Sequence, residues 1–87
     1  MVSKKYTVKN ELGLHMRPAG VITNAMMKFN CDVNLFVNGR TVNAKSSLNV
    51  MAACIKCGTK IELICDGTQE KEAVEKFDEL YNNNFGD

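Results

Sequence analysis

His15 is the only histidine in the chain, and it stands in Gly13-Leu14-His15-Met16-Arg17-Pro18, directly ahead of a stretch with helical periodicity. Pro18 suits a first helical turn, where its missing N–H deprives no carbonyl of a partner. The opening N–H groups of a helix have no intrahelical acceptor, and with the positive end of the helix dipole they stabilise an anion. Arg17 adds a permanent cation whose fork of donors matches phosphate oxygens. The segment therefore reads as a phosphate seat made of His15, the Met16 and Arg17 amides and the Arg17 guanidinium. The same positive field opposes an imidazolium and favours the neutral, nucleophilic ring, yet it stabilises a phosphorylated imidazole once one forms. These residues alone fit three descriptions: a covalent phosphoryl acceptor, a noncovalent phosphate site, or an ordinary histidine beside a helix cap.

Two further groups of side chains carry potential chemistry. Ser46 or Ser47 can accept a backbone hydrogen bond as the N-cap of a short helix, and either hydroxyl is also a modifiable oxygen. Cys54-Ile55-Lys56-Cys57 has the spacing of redox and zinc motifs, with Cys31, Cys65 and His15 as conceivable additional ligands. A structural zinc site generally brings two such clusters or a histidine pair, and a small thiol in a strand is by default a buried apolar group. No metal and no cofactor are expected.

The elements that must position these groups follow from apolar periodicity. Val2, Lys4, Tyr6 and Val8 alternate with polar residues, which predicts a half-buried strand. Ala19, Ile22, Met26 and Phe29 recur at helical spacing, widened by Val21 and Ala25, so a helix is expected from about Met16 to Met27. Val33, Leu35 and Val37 alternate up to Asn38-Gly39, the dipeptide best suited to a type I′ turn, and Arg40–Ala44 returns as the partner strand. Leu48, Val50, Met51, Ala52 and Ala53 give the short second helix, which Gly58 should stop. Ile61, Leu63 and Cys65 form a fourth strand ending at Asp66-Gly67. Thr68 then caps a helix bearing Glu70 and Glu72 near its positive end, with Ala73, Val74, Phe77, Leu80 and Tyr81 as its apolar stripe. Asn82–Asp87, rich in Asn and Gly, is expected to fray.

The order β-α-β-β-α-β-α, with short connections and one-sided strands, predicts a two-layer α/β sandwich in which helices cover one face of a four-stranded sheet and the other face meets water. Eighty-seven residues enclose a single core, so the whole of 1–87 is read as one domain. With 45% hydrophobic and 24% charged residues the composition is that of a globular domain, not a disordered one. Eleven Lys+Arg against ten Asp+Glu give a net charge of +1, which offers no bulk attraction for nucleic acid or a membrane surface. Any anion chemistry must be local. No signal-peptide pattern and no membrane-length apolar run occur, so a cytoplasmic protein with reduced thiols is expected.

Gly13-Leu14-His15-Met16-Arg17-Pro18-Ala19 resembles the active-site signature of HPr, the histidine-containing phosphocarrier family of the bacterial phosphoenolpyruvate:sugar phosphotransferase system. Asn38-Gly39, Ala44-Lys45-Ser46-Ser47-Leu48, Val50-Met51 and Asp66-Gly67 before an acidic helix fall where that family has its hairpin, regulatory serine, second helix and last helix. The resemblance implies an open-faced β-sandwich with an antiparallel sheet of order 1-4-2-3 and three helices on one face. It implies a phosphoryl group taken from phosphorylated enzyme I onto Nδ1 of His15 and delivered to enzyme IIA domains, by a carrier that is not itself an enzyme. Ser46 matches the serine phosphorylated by HPr kinase/phosphorylase in low-GC Gram-positive bacteria, which brings that kinase and a catabolite-control transcription factor in as partners.

A carrier must show its phosphohistidine to two different proteins, so a shallow site with a docking rim is expected, and Met16, Gly20, Leu48, Met51 and Cys54 are the candidates for that rim on a monomeric protein. Leu12, Gly20, Ser47, Asn49 and Cys54 depart from the residues most usual in the family. Leu12 stands where Asn or Ser often helps to cap the first helix, so the orientation of the His15 ring is left to backbone groups. A regulatory module acting through Ser46 and its helix surface is the competing reading, and a metal or redox domain is a third.

Overall fold

The computed structural model describes residues 1–87. Its elements run β1 (Val2–Thr7), α1 (Met16–Met26), β2 (Cys31–Val37), β3 (Arg40–Asn43), α2 (Ser47–Ala52), β4 (Lys60–Gly67) and α3 (Glu70–Asn82), followed by a single 3-10 turn at Asn84–Gly86. The four strands form one antiparallel sheet in the order β1-β4-β2-β3. This is the expected open-faced α/β sandwich.

Alternation decides which face each strand buries. Tyr6, Val33, Leu35, Val37, Val42, Ile61, Leu63 and Cys65 are buried beneath the helices, joined by Ala19, Ile22 and Met26 of α1, Val50 of α2 and Ala73 and Phe77 of α3. Leu35 lies opposite Leu63 on one side and Val42 on the other, so the register places the bulkiest aliphatics in one row. The opposite face carries Phe36, 43% exposed, among polar neighbours. The β2–β3 connection has Asn38 at φ 51° and Gly39 at φ 76°, both in the left-handed region that a type I′ turn requires. No helix is long and apolar enough to cross a membrane.

Three expectations about element ends are corrected. Ser46, and not Ser47, is the N-cap of α2, its Oγ accepting from the Asn49 amide at 3.2 Å. That helix closes at Ala52 because Cys54 takes a positive φ of 52°, so the left-handed residue that turns the chain away is a cysteine and not Gly58. Thr68 does not cap α3: its hydroxyl donates to the Asn30 carbonyl at 3.0 Å, Gln69 occupies the cap without a side-chain bond, and Glu70 instead accepts from the Gly67 amide at 3.1 Å.

The largest correction concerns residues 82–87, which do not fray. Phe85 is fully buried, its ring edge-on to Phe77 at 5.4 Å and to Tyr81 at 5.9 Å between centroids. Tyr6 stacks obliquely on the same two rings, at 5.1 Å from Phe77 and 4.7 Å from Tyr81. The buried area of four aromatic side chains therefore outweighs the loop-forming tendency of three successive asparagines.

Candidate functional site

The approach to α1 is stitched to the turn after α2. Gly13 N–H donates to the Asn10 carbonyl at 2.9 Å, and Leu14 N–H donates to the Ile55 carbonyl at 2.9 Å. Leu14 and Ile55 are buried, which pins the segment from below. His15 then becomes the N-cap of α1, with extended backbone angles, and its carbonyl accepts from the Ala19 amide at 3.0 Å. Its side chain makes no cap bond. Pro18 has no N–H, so Met16 and Arg17 supply the amides left open at this end of the helix.

The imidazole is held from an unforeseen quarter. His15 Nε2 lies 3.0 Å from the Asp87 carboxylate, with 34% of the histidine side chain and 23% of the aspartate side chain exposed. The expectation that only backbone groups orient the ring is thereby corrected. Hydrogen bonding to His15 is the chief reason the Asp87 carboxyl stays ionised below its ordinary range; burial opposes this, and Asn10 and the charges of His15 and Arg17 reinforce it. Asn10 is almost fully buried and donates from Nδ2 to the Asn84 carbonyl at 2.9 Å and to Asp87 Oδ2 at 3.5 Å. Nothing in the local sequence pattern links residue 10, residue 15 and residue 87; the aromatic packing of Phe85 is what brings them together.

Around the ring the surface is apolar and shallow. Leu12, Leu14, His15, Met16, Met51, Cys54, Ile55 and Lys56 line a depression of about 360 Å³. Of the residues expected at the rim, Met16, Met51 and Cys54 line it; Gly20 is half-buried one turn along α1, and Leu48 stands outside the depression, 72% exposed at the start of α2. Leu12, 76% exposed, belongs to the same surface and was passed over as a rim residue because it was read as a missing cap. Arg17 is exposed beside this surface.

The four thiols are not gathered. Cys54 and Cys57 are exposed, Cys31 is half-buried, and Cys65 lies in the core, where burial pushes its thiol up to about 12. Burial also raises Cys31. No three His, Cys, Asp or Glu side chains are placed to hold a metal ion.

Ser46 combines a cap and an available hydroxyl, and the two are separable by substitution. Ser46→Ala removes the acceptor of the Asn49 amide and is expected to lower stability by about 1 kcal/mol, read as a lower urea midpoint. Ser46→Asn, which retains a capping oxygen, should recover most of that loss.

Comparison with known proteins agrees with this geometry. Residues 2–83 match the family described as PTS-HPr, the PTS HPr component phosphorylation site. The chain is 38% identical over 87 residues to the phosphocarrier protein HPr of Xylella fastidiosa, covering 100% of this chain and 98% of the relative. It is 40% identical over 76 residues to the HPr-like protein Crh of Bacillus subtilis, covering 87% and 89% respectively. The crystal structure of HPr-C-His from Thermoanaerobacter tengcongensis superposes with a TM-score of 0.94 at 30% identity, covering 100% of this chain and 98% of that one. With a helix-opening histidine, an open-faced sandwich of sheet order 1-4-2-3 and full-length likeness to such relatives, the chain belongs to the HPr family of phosphotransferase-system phosphocarriers.

Proposed function

We propose that this chain accepts a phosphoryl group from phosphorylated enzyme I on Nδ1 of His15 and passes it to enzyme IIA domains, as a monomer in the cytoplasm. The observation that carries the reading is the placement of His15: an N-cap whose ring is partly exposed beside a shallow apolar depression, with Nε2 already engaged and Nδ1 free of any bond within the chain. The Met16 and Arg17 amides and the Arg17 guanidinium receive the phosphoryl oxygens, where fixed donors and the helix field offset the developing charge. A shallow site fits a carrier, because the two partners complete the surroundings of the phosphorus in turn and each must reach it. Met16, Gly20, Leu48, Met51 and Cys54, with Leu12, form the apolar rim on which both partners dock.

Ser46 serves as the regulatory phosphorylation site, recognised by an HPr kinase/phosphorylase. A phosphate there adds about −1.5 to −2 charges within two residues of exposed Leu48. Desolvating that rim then becomes harder for enzyme I, while the helix itself remains folded. The likeness to Crh favours a second reading, in which Ser46 and the α2 surface act on a catabolite-control transcription factor and His15 is idle. The intact His15-Met16-Arg17-Pro18 segment weighs against it as the sole role.

The experiment is incubation of the full chain with phosphoenolpyruvate and enzyme I, followed by peptide mapping of the phosphate. Acid-labile phosphate on the peptide containing His15, transferable to an enzyme IIA domain, is the expected result. An unmodified His15 under conditions that charge another HPr would overturn the carrier reading, and phosphorylation confined to Ser46 by a kinase would favour the second.

A further inference from the structure

The geometry points to Asp87 as a positioning residue for phosphoryl transfer: its carboxylate keeps the ring proton of His15 on Nε2 and leaves the Nδ1 lone pair as the nucleophile. The inference rests on the carrier reading and assigns it a residue outside the His15–Pro18 segment. An ionised carboxylate only accepts hydrogen bonds, so a 3.0 Å approach to Nε2 requires the proton on that nitrogen.

Asp87 is placed by the fold. Its own amide donates to the Asn84 carbonyl at 3.0 Å, and Asn10 holds both the Asn84 carbonyl and Asp87 Oδ2 through one amide nitrogen. The two acceptors fix which way that amide points, since its oxygen would meet oxygen if the group were turned over. Asn10 Oδ1 is left buried without a partner in consequence, so the residue is oriented for what it donates. Asn84 and Phe85 both sit in the left-handed region, at φ 54° and 52°. Strain of that kind persists where surrounding structure over-determines it, and here the buried Phe85 ring and the Asn10 bonds do so.

The chemistry balances without moving a proton. Nδ1 attacks phosphorus, the bond from phosphorus to the phosphorylated donor protein breaks, and its electron pair goes to the donor's leaving atom. The ring then bears phosphorus on Nδ1 and hydrogen on Nε2, a cationic imidazole facing the Asp87 carboxylate. On delivery the Nδ1–P bond breaks, the pair returns to Nδ1, and the ring departs as neutral imidazole. Without a partner holding the Nε2 proton, more of the phosphorylated ring would have to leave as imidazolate, a far poorer leaving group. The helix field opposes the cationic ring and the Asp87 carboxylate compensates, while Arg17 lies near enough for its charge to help keep that carboxylate ionised.

The test compares the full chain with Asp87→Asn and Asp87→Ala, each checked by its amide spectrum for an unchanged fold. Long-range nitrogen–proton spectra of the neutral His15 ring at pH 9 report the tautomer. The unchanged chain is expected to show Nε2–H alone; Asp87→Asn, whose carbonyl still accepts, should retain it, and Asp87→Ala should show a mixture. Onward transfer to an enzyme IIA domain should slow about ten- to hundredfold in Asp87→Ala, as expected for a lost charge-assisted hydrogen bond, and less in Asp87→Asn. An Asp87→Ala chain with the original tautomer, or with the original transfer rate, overturns the assignment. If the unchanged chain also takes no phosphate, the carrier reading fails instead, and the tautomer comparison still decides whether Asp87 sets the ring proton.

Discussion

Phe85→Ala is expected to lower the stability of the chain by about 3–5 kcal/mol, read as a fall in urea midpoint. The ring is fully buried and edge-on to Phe77 and Tyr81, so truncation removes both the transfer free energy of a phenyl group and its contacts with two aromatic faces. Domains of this size are stable by about 5–15 kcal/mol in total, so the loss is a third or more of the margin. Positive φ at residue 85 is unfavourable for alanine as for phenylalanine, and the substitution gives no relief there. The alternative response is local: the 3-10 turn detaches and water fills its place, in which case the global cost is capped by the free energy of that opening. Amide exchange separates the two, because detachment exposes the Gly86 and Asp87 amides while the β4 amides stay protected. Either response takes Asp87 from His15, so Phe85→Ala should also reproduce the transfer defect of Asp87→Ala although residue 85 touches neither partner nor phosphate. A midpoint shift under about 1 kcal/mol would show that the aromatic cluster does not anchor this segment.

The contrast between Phe85 and His15 shows what the sequence makes visible. His15 was placed correctly because Pro18 marks a first turn and the apolar period of α1 begins beside it, two local signals that agree. The β2–β3 hairpin was equally plain, since alternation on both sides of Asn38-Gly39 leaves one register. Phe85 has no periodic companions; its neighbours are Asn84 and Gly86, and only the tertiary approach of Tyr6, Phe77 and Tyr81 gives it a place. Asp87, Asn10 and the ring orientation of His15 were hidden with it. The end of α2 was misjudged for a different reason. A cysteine in the left-handed region is uncommon, so Gly58 drew the assignment that Cys54 in fact fills. The metal-like spacing of Cys54 and Cys57 is likewise local, and the fold leaves the other two thiols elsewhere.

Gly13→Ala should be as damaging as any single change in the chain, with a loss of about 3 kcal/mol or more and a thermal midpoint lower by some ~12–24 °C. Two physical causes combine. Gly13 has φ +71°, where a Cβ costs about 1–2 kcal/mol. An added Cβ there would also overlap the Ile55 carbonyl oxygen and come within 2.9 Å of Lys56 Cα. Those atoms are backbone, and Ile55 is the acceptor for Leu14 N–H, so neither strand of the contact can yield without breaking the stitch that presents His15. Gly20→Ala is the control: a Cβ there meets nothing within 4 Å, and the substitution should raise helix stability by about 1 kcal/mol. Gly13→Asn discriminates between the causes, because asparagine tolerates a positive φ but brings the same Cβ. If overlap dominates, Gly13→Asn will be nearly as unstable as Gly13→Ala, and phosphate uptake at His15 will fall in both while the histidine itself is unaltered. Full recovery by asparagine would mean that backbone strain alone excludes side chains from position 13, and that the Ile55–Lys56 turn does not fix the height of the His15 ring above the docking surface.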